Sequence, residues 1–150
     1  MDELRELYQE MILDHHKNPR NCQKLVGANH HAEGYNPLCG DRVMVHLLLA
    51  GDTIKDISFE GSGCAICTAS SSLMTEVLKG KSLNEAERVF GKFHDLVTSD
   101  PTAGPVHDDL GKLAVFAGVR EYPIRIKCAT LPWHTFQAAL ADKSETVTTE

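Results

Sequence analysis

The sequence predicts an α+β fold in which a small antiparallel sheet of about three strands packs against several helices. Two β-rich runs, 42–49 and 53–59, are separated only by Ala50-Gly51-Asp52, which is typical of a tight hairpin. A further short strand is expected near residues 31–35. Apolar residues at helical spacing occur both before and after the strands, so helices should flank the sheet.

The first two helices are predicted from apolar stripes and from the residues that end them. Residues 2–16 repeat large apolar side chains on one helical face and stop just before Pro19. A second stripe covers 64–79, between Gly63 and Gly80. Glycine commonly follows the last turn of a helix, so Gly80 is expected to end this one.

The second half of the chain is predicted to be mainly helical. Ser82 and Glu85 have the spacing of a capping box, and an apolar stripe follows them. Residues 98–109 are rich in proline and glycine and are expected to form a loop, with a short helical stretch at 110–117. The last helix is expected to begin at 130–132, since proline is tolerated in a first turn.

Composition limits the domain organisation and the classes of function. The chain has 150 residues, 42% of them hydrophobic, which suits a single domain over 1–142. The polar tail 143–150 has little to bury and is expected to be disordered. The net charge of -6 argues against nucleic acid as a partner. The charged residues 1–5 and the lack of a long apolar run favour a cytoplasmic protein without membrane contact.

Five cysteines carry the first functional hypothesis. In a reducing compartment an odd number of cysteines favours metal binding or catalysis over a disulfide framework. They are Cys22, Cys39, Cys64, Cys67 and Cys128.

The hairpin should bring two of these cysteines together. Its open ends are neighbours in an antiparallel pair, which places Cys39 before the first strand close to Cys64 after the second. Asp41 follows two residues later, and Cys128 precedes the last helix. Three thiolates and one carboxylate can complete a tetrahedral zinc shell. Because a carboxylate is a harder ligand, this site should exchange ligands more readily than four cysteines would, with Cys39 in its turn as the reactive sulfur.

The residues around these ligands resemble the iron-sulfur assembly family of the IscU and NifU N-terminal type, and within it the SufU branch. The resemblance covers most of the chain and implies the fold of that family. Three ordered motifs carry it, namely Asn36 to Asp41, Gly61 to Ile66 with Ala69-Ser70, and Arg125 to Trp133.

The resemblance implies a zinc-dependent sulfurtransferase. It assigns the metal ligands to Cys39, Asp41, Cys64 and Cys128, and the sulfur-accepting, catalytic role to Cys39. The implied donor is a cysteine desulfurase, one of whose histidines replaces Cys39 on the zinc. The implied acceptor is a downstream iron-sulfur assembly scaffold.

The alternative to the sulfurtransferase is an iron-sulfur cluster scaffold that uses the same ligands. A purely structural zinc module is a third hypothesis. Scaffold relatives carry histidine before the last cysteine, whereas this chain has Lys127. The chaperone motif Leu-Pro-Pro-Val-Lys is replaced by residues 121–125, and the interval before Cys128 is longer. These departures favour the sulfurtransferase.

The sequence does not decide the roles of the other cysteines and histidines. Cys67 lies one helical turn from Cys64 and could enter the metal shell, or form a redox pair with it. Cys22 has no motif around it. The pairs His15-His16 and His30-His31 are not predicted to be ligands, because adjacent side chains point in different directions.

Overall fold

A computed structural model describes residues 2–99, 108–141 and 147–148. Its elements, in chain order, are α1 (Asp2–Lys17), β1 (His30–Asn36), β2 (Asp41–Ala50), β3 (Thr53–Ser62), α2 (Ala65–Leu78), α3 (Leu83–Thr98), a 3-10 segment (Asp108–Glu121), α4 (Pro123–Leu140) and β4 (Val147–Thr148). No helix among these residues is both long and apolar enough to cross a membrane.

The sheet confirms the predicted hairpin and the short strand before it. Its strand order is β3-β2-β1-β4, with the central strand β2 antiparallel to both β1 and β3. Asn36 pairs with Asp41 across the β1–β2 turn, and Arg42 pairs with Ser62 at the open end of the hairpin. The start of β2 and the end of β3 therefore lie side by side, next to the residues that precede α2.

One face of this sheet is covered by α4 and α2. A Cβ atom at Gly34 would overlap Thr135 Oγ1 on α4, so only glycine allows this close approach of strand and helix. Trp133 of α4 stacks its ring on Phe93 of α3 with the centroids 4.7 Å apart, and its Nε1 donates to Ser70 Oγ of α2 at 3.1 Å. A fully buried indole with a paired N–H fixes α4 firmly over α2 and α3.

The starts of α2 and α3 agree with the starts that the sequence predicted. Cys64 is the N-cap of α2, and its Sγ accepts the Cys67 N–H at 3.5 Å. In α3, Ser82 Oγ accepts the Glu85 N–H at 3.2 Å while Glu85 Oε1 accepts the Ser82 N–H at 3.3 Å, which completes the predicted capping box.

The predicted start of the last helix is wrong by about two turns. Helix α4 begins at Pro123, and Pro132 lies inside it. The proline in the first turn is Pro123, nine residues before the proline on which the prediction was based. Pro132 has no N–H to donate to the Cys128 carbonyl four residues earlier. Cys128 therefore projects from within a helix rather than from the loop that precedes one.

The end of the chain differs from the predicted tail in one respect. Val147–Thr148 form β4, which pairs in parallel with β1 at Gly34 and Tyr35. The remaining predicted tail residues lie outside the described part of the chain, as does most of the predicted loop at 98–109. The predicted boundary of the domain at residue 142 stays a prediction.

Candidate metal and sulfur centre

The four predicted ligands come from three parts of the fold. Cys39 lies in the β1–β2 turn, Asp41 is the first residue of β2, Cys64 caps α2, and Cys128 projects from α4. One ligand atom each from Cys39, Asp41 and Cys128 lie within 4.8 Å of one another. Cys64 is outside that group of three, but its Sγ lies beside it, 3.7 Å from Asp41 Oδ2.

Asp41 is the most firmly held side chain of this cluster. Its carboxylate is fully buried, and Oδ1 accepts the Cys64 backbone N–H at 2.7 Å. Gly63 makes this contact possible, because a Cβ atom there would lie 2.5 Å from Asp41 Oδ1. The start of β2 is thereby tied to the residue that caps α2.

Asn36 contacts the cluster, although the sequence did not single it out. It is fully buried, and its Nδ2 lies 3.5 Å from Asp41 Oδ2 and 3.6 Å from Cys128 Sγ. Its Oδ1 accepts the Leu38 N–H at 3.2 Å within the turn that carries Cys39. The signal available in the sequence was its place at the head of the Asn-Pro-Leu-Cys-Gly-Asp motif, where an asparagine also suits a turn.

The thiols differ sharply in exposure. Cys39 is exposed, Cys64 is half-buried and Cys128 is buried. Cys39 Sγ nevertheless lies 3.3 Å from Cys128 Sγ, so the exposed turn reaches back to the buried part of the cluster. A reagent or a partner protein approaching from outside meets Cys39 first.

The thiols of Cys64 and Cys128 shift each other's pKa in opposite directions. A hydrogen bond from Cys128 is the main influence that lowers the pKa of Cys64 to about 7, and burial opposes it. The same hydrogen bond raises the pKa of Cys128, together with burial and its contacts to Asp41 and Cys39. Cys64 is thus the preferred thiolate of this pair.

The donor set fits a tetrahedral zinc ion. Ligand atoms around such an ion, bound at 2.0–2.3 Å, lie roughly 3.3–3.8 Å apart. The Cys39–Cys128 and Cys64–Asp41 separations, 3.3 and 3.7 Å, fall in this range. A buried carboxylate beside three thiols also calls for a cation to balance its charge.

Cys67 does not join the cluster, although it follows Cys64 by one turn. Its side chain is buried in the core, and burial, followed by the charges of Asp41 and Cys64, raises its pKa. Cys22 lies elsewhere, bridged to Phe59 at the β3 edge of the sheet. The structure therefore brings together the four predicted ligands and leaves the other two cysteines apart.

An apolar cavity opens beside the cluster. It has a volume of about 850 Å³ and is lined by residues of α1, by the start of α4 and by Cys39, Cys64 and Cys128. Leu13 and Ile124 on its wall are more than half exposed, as is Leu38 beside Cys39. Arg125 also lines the cavity, with its guanidinium 4.5 Å above the Tyr122 ring.

A sequence model of the NifU-like N-terminal domain matches residues 7–129, a span that contains all four clustered side chains. The chain belongs to the NifU-like N-terminal domain family. Within this family it is 38% identical over 135 residues to the zinc-dependent sulfurtransferase SufU of Bacillus subtilis, with 90% of each chain covered. It is 37% identical to the iron-sulfur cluster assembly scaffold protein IscU of Streptococcus pyogenes, covering 93% of this chain and 86% of that one.

A crystal structure within the NifU-like family shows the same fold. It is that of a candidate iron-sulfur cluster assembly scaffold protein for the SUF system, from Fervidobacterium islandicum. The two chains superpose with a TM-score of 0.81 at 36% identity, over 90% of this chain and 97% of the other. The predicted α+β class and family are confirmed, and the chain is placed among proteins of iron-sulfur cluster assembly.

Proposed function

We propose that this chain is a zinc-dependent sulfurtransferase that takes sulfur from the persulfide of a cysteine desulfurase. Cys39, Asp41, Cys64 and Cys128 would hold the zinc, and Cys39 would accept the sulfur. The observation that carries the proposal is the contrast between exposed Cys39 and buried Asp41 and Cys128 within one cluster. One ligand can leave such a cluster while the others stay fixed.

Zinc, when bound, keeps the thiols ionised at neutral pH and so preserves a nucleophile. The Cys39 thiolate attacks the outer sulfur of the donor persulfide. The sulfur-sulfur bond of the donor breaks, and the donor cysteine leaves as a thiolate. Cys39 then carries the extra sulfur as its own persulfide, and no external oxidant or reductant is consumed.

The surroundings of Cys39 support docking of a protein donor. Leu38, Leu13 and Ile124 expose apolar surface around the cluster, and the adjoining cavity is lined mainly by aliphatic and aromatic side chains. Burying such a surface stabilises a protein complex. We propose a SufS-type desulfurase as the donor and an iron-sulfur assembly scaffold as the acceptor.

The alternative is a scaffold that assembles a cluster on the same four side chains, as the name of the Streptococcus pyogenes relative indicates for that protein. The two functions make different demands on the protein as isolated. A sulfurtransferase holds one zinc ion per chain and stimulates its desulfurase, whereas a scaffold accumulates iron and sulfide.

The test combines elemental analysis with desulfurase turnover of free cysteine, with and without this protein. We expect one zinc per chain, stimulated turnover, and mass-spectrometric detection of one added sulfur on Cys39. Cys39→Ala should abolish the stimulation, whereas Cys22→Ala, which removes an exposed thiol outside the cluster, should retain it. Zinc without stimulation would reduce the centre to a structural site, and iron with sulfide in place of zinc would establish the scaffold.

A further inference from the structure

Two histidines meet on the sheet face opposite α4. Gly34 on β1 faces α4, so the alternate residues of this strand, including His31, lie on the other face. His31 is directly opposite His46 in the β1–β2 register. Their Nδ1 atoms are 2.7 Å apart, and the rings stand at 78° to each other. A pair of imidazole nitrogens thus points into one small volume.

Glu60 fixes the tautomer of one partner. Its Oε1 lies 2.8 Å from His46 Nε2, which must donate its proton because an ionised carboxylate only accepts. In the neutral form of the His46 ring, Nδ1 then carries the lone pair and accepts the proton of His31 Nδ1. A carboxylate on the outer nitrogen of an imidazole is the usual support of a metal-binding histidine.

The side of the histidine pair that faces β3 is buried and polar. His46 is 6% exposed and Ser58, directly opposite it on β3, is 1% exposed. Among the residues that the structure describes, Ser58 Oγ has no hydrogen-bond partner. A buried hydroxyl without a partner, on the same face as His46, is a site where a water can bind.

We propose that His31 and His46 form a second metal site, for a divalent first-row transition ion bound through the two Nδ1 atoms. The ion takes the place of the shared proton, which moves to His31 Nε2 or to solvent. Two imidazole nitrogens on a tetrahedral zinc ion lie roughly 3.3–3.4 Å apart. The two Nδ1 atoms, now 2.7 Å apart, therefore have to separate by about 0.6 Å on binding. Imidazole suits zinc, iron, nickel and copper.

This site is distinct from the cysteine centre. His31 and His46 lie five residues along their strands from Asn36 and Asp41, a distance of about 17 Å at the rise of a strand. They also occupy the other face of the sheet. With only two protein ligands, the remaining positions fall to water, so the ion should be exchangeable. The inference does not depend on the function of the cysteines.

The test uses the untagged full chain already carrying one equivalent of zinc. Further Zn²⁺ is titrated by calorimetry, and imidazole nitrogen resonances are followed by NMR. We expect one additional ion per chain, with the Nδ1 resonances of His31 and His46 shifting together. His31→Gln and His46→Gln should weaken this binding at least tenfold, and Glu60→Gln by about tenfold, the effect usual for a supporting carboxylate.

His30→Gln is the matched control, because His30 is the neighbour of His31 on β1 and contacts Asn29 instead. It should bind the second ion as the wild type does. His31 is exposed, so its variant tests the site even where replacement of buried His46 impairs folding. The proposal would be overturned if the wild type bound no second ion at millimolar zinc, or if His31→Gln bound it as tightly as the wild type. It would also be overturned if, among the variants, Cys22→Ser alone lost the second ion.

Discussion

Asn36 Nδ2 lies 3.6 Å from Cys128 Sγ and so joins the end of β1 to the middle of α4. The same amide approaches Asp41 Oδ2, and its carbonyl oxygen accepts a hydrogen bond from Leu38. One fully buried side chain therefore contacts two of the proposed ligands and the turn that carries a third. Groups that orient metal ligands in this way contribute strongly to metal affinity.

We expect Asn36→Ala to lower zinc affinity by about 10–100-fold, the usual effect of removing such a supporting group. Competition with a chromophoric chelator measures this affinity directly. Asn29→Ala is the control, because the described hydrogen bonds of the Asn29 side chain go to the Leu49 backbone and to His30, at the other end of β1. Equal affinities for Asn36→Ala and the wild type would show that Asn36 only shapes the turn.

Gly63→Ala should damage the centre without touching a ligand. The added methyl group would lie 2.5 Å from Asp41 Oδ1 and displace it from the Cys64 N–H. Losing a hydrogen bond to a charged group costs about 1.5–3 kcal/mol, which corresponds to roughly 10–100-fold in zinc affinity. The same chelator competition measures this change.

Gly91→Ala provides the matched control for that substitution. Gly91 lies in α3, and a Cβ atom there would have no other atom within 4 Å. Alanine in a helix is favoured over glycine, so this variant should be about 0.5–1 kcal/mol more stable and bind zinc normally. Normal zinc affinity in Gly63→Ala would contradict the clash that we derive.

The proximity of the proposed ligands could be predicted because it depends on local signals that agree with one another. A tight hairpin brings the start of β2, with Asp41, beside the end of β3, and Cys64 follows that end as the N-cap of α2. The position of Cys128 was harder to predict from the sequence. Two prolines could each open the last helix, and packing of Trp133 against Phe93, rather than local preference, decides where that helix lies.

Contacts between strands explain what the sequence could not show. Asn36 and the His31–His46 pair gain their roles from register, which pairs Asn36 with Asp41 and His31 with His46. Register depends on the whole sheet and not on the residues beside each histidine. The parallel pairing of Val147–Thr148 with β1 could not be predicted from the sequence either, because two residues carry no periodic pattern.

Removing zinc should destabilise the whole fold. The proposed ligands link the β1–β2 turn, the start of α2 and α4, and the unfolded chain cannot hold them in this arrangement. At free zinc a thousandfold above the dissociation constant, binding to the folded state alone adds about 4 kcal/mol. Urea unfolding in zinc buffer and in chelator measures the difference.

The control for zinc removal is Cys22→Ser, whose exposed thiol lies outside the centre and whose zinc-dependent shift should match the wild type. Cys128→Ser should lose most of the shift, because it removes a buried ligand. An unfolding midpoint that does not respond to chelation would contradict a zinc site that links these elements.

His15 should make stability depend on pH through the contact between α1 and α2. It is buried, its Nδ1 lies 2.7 Å from Ser72 Oγ, and burial followed by the charge of Arg20 lowers its pKa. The folded state therefore holds a neutral imidazole that the unfolded state protonates below about pH 6.5. This contribution to stability is present above that pH and is lost as the pH falls.

We therefore expect the wild type to lose more stability between pH 7 and pH 5 than His15→Gln does, as measured by urea unfolding. Acid also releases zinc from cysteine, so the difference between the two proteins, and not either slope alone, reports on His15. His16→Gln is the control, because its exposed neighbouring imidazole should leave the wild-type slope unchanged. Parallel slopes for wild type and His15→Gln would mean that α1 tolerates a charged His15, since the cost of burying that charge is what makes the slopes differ.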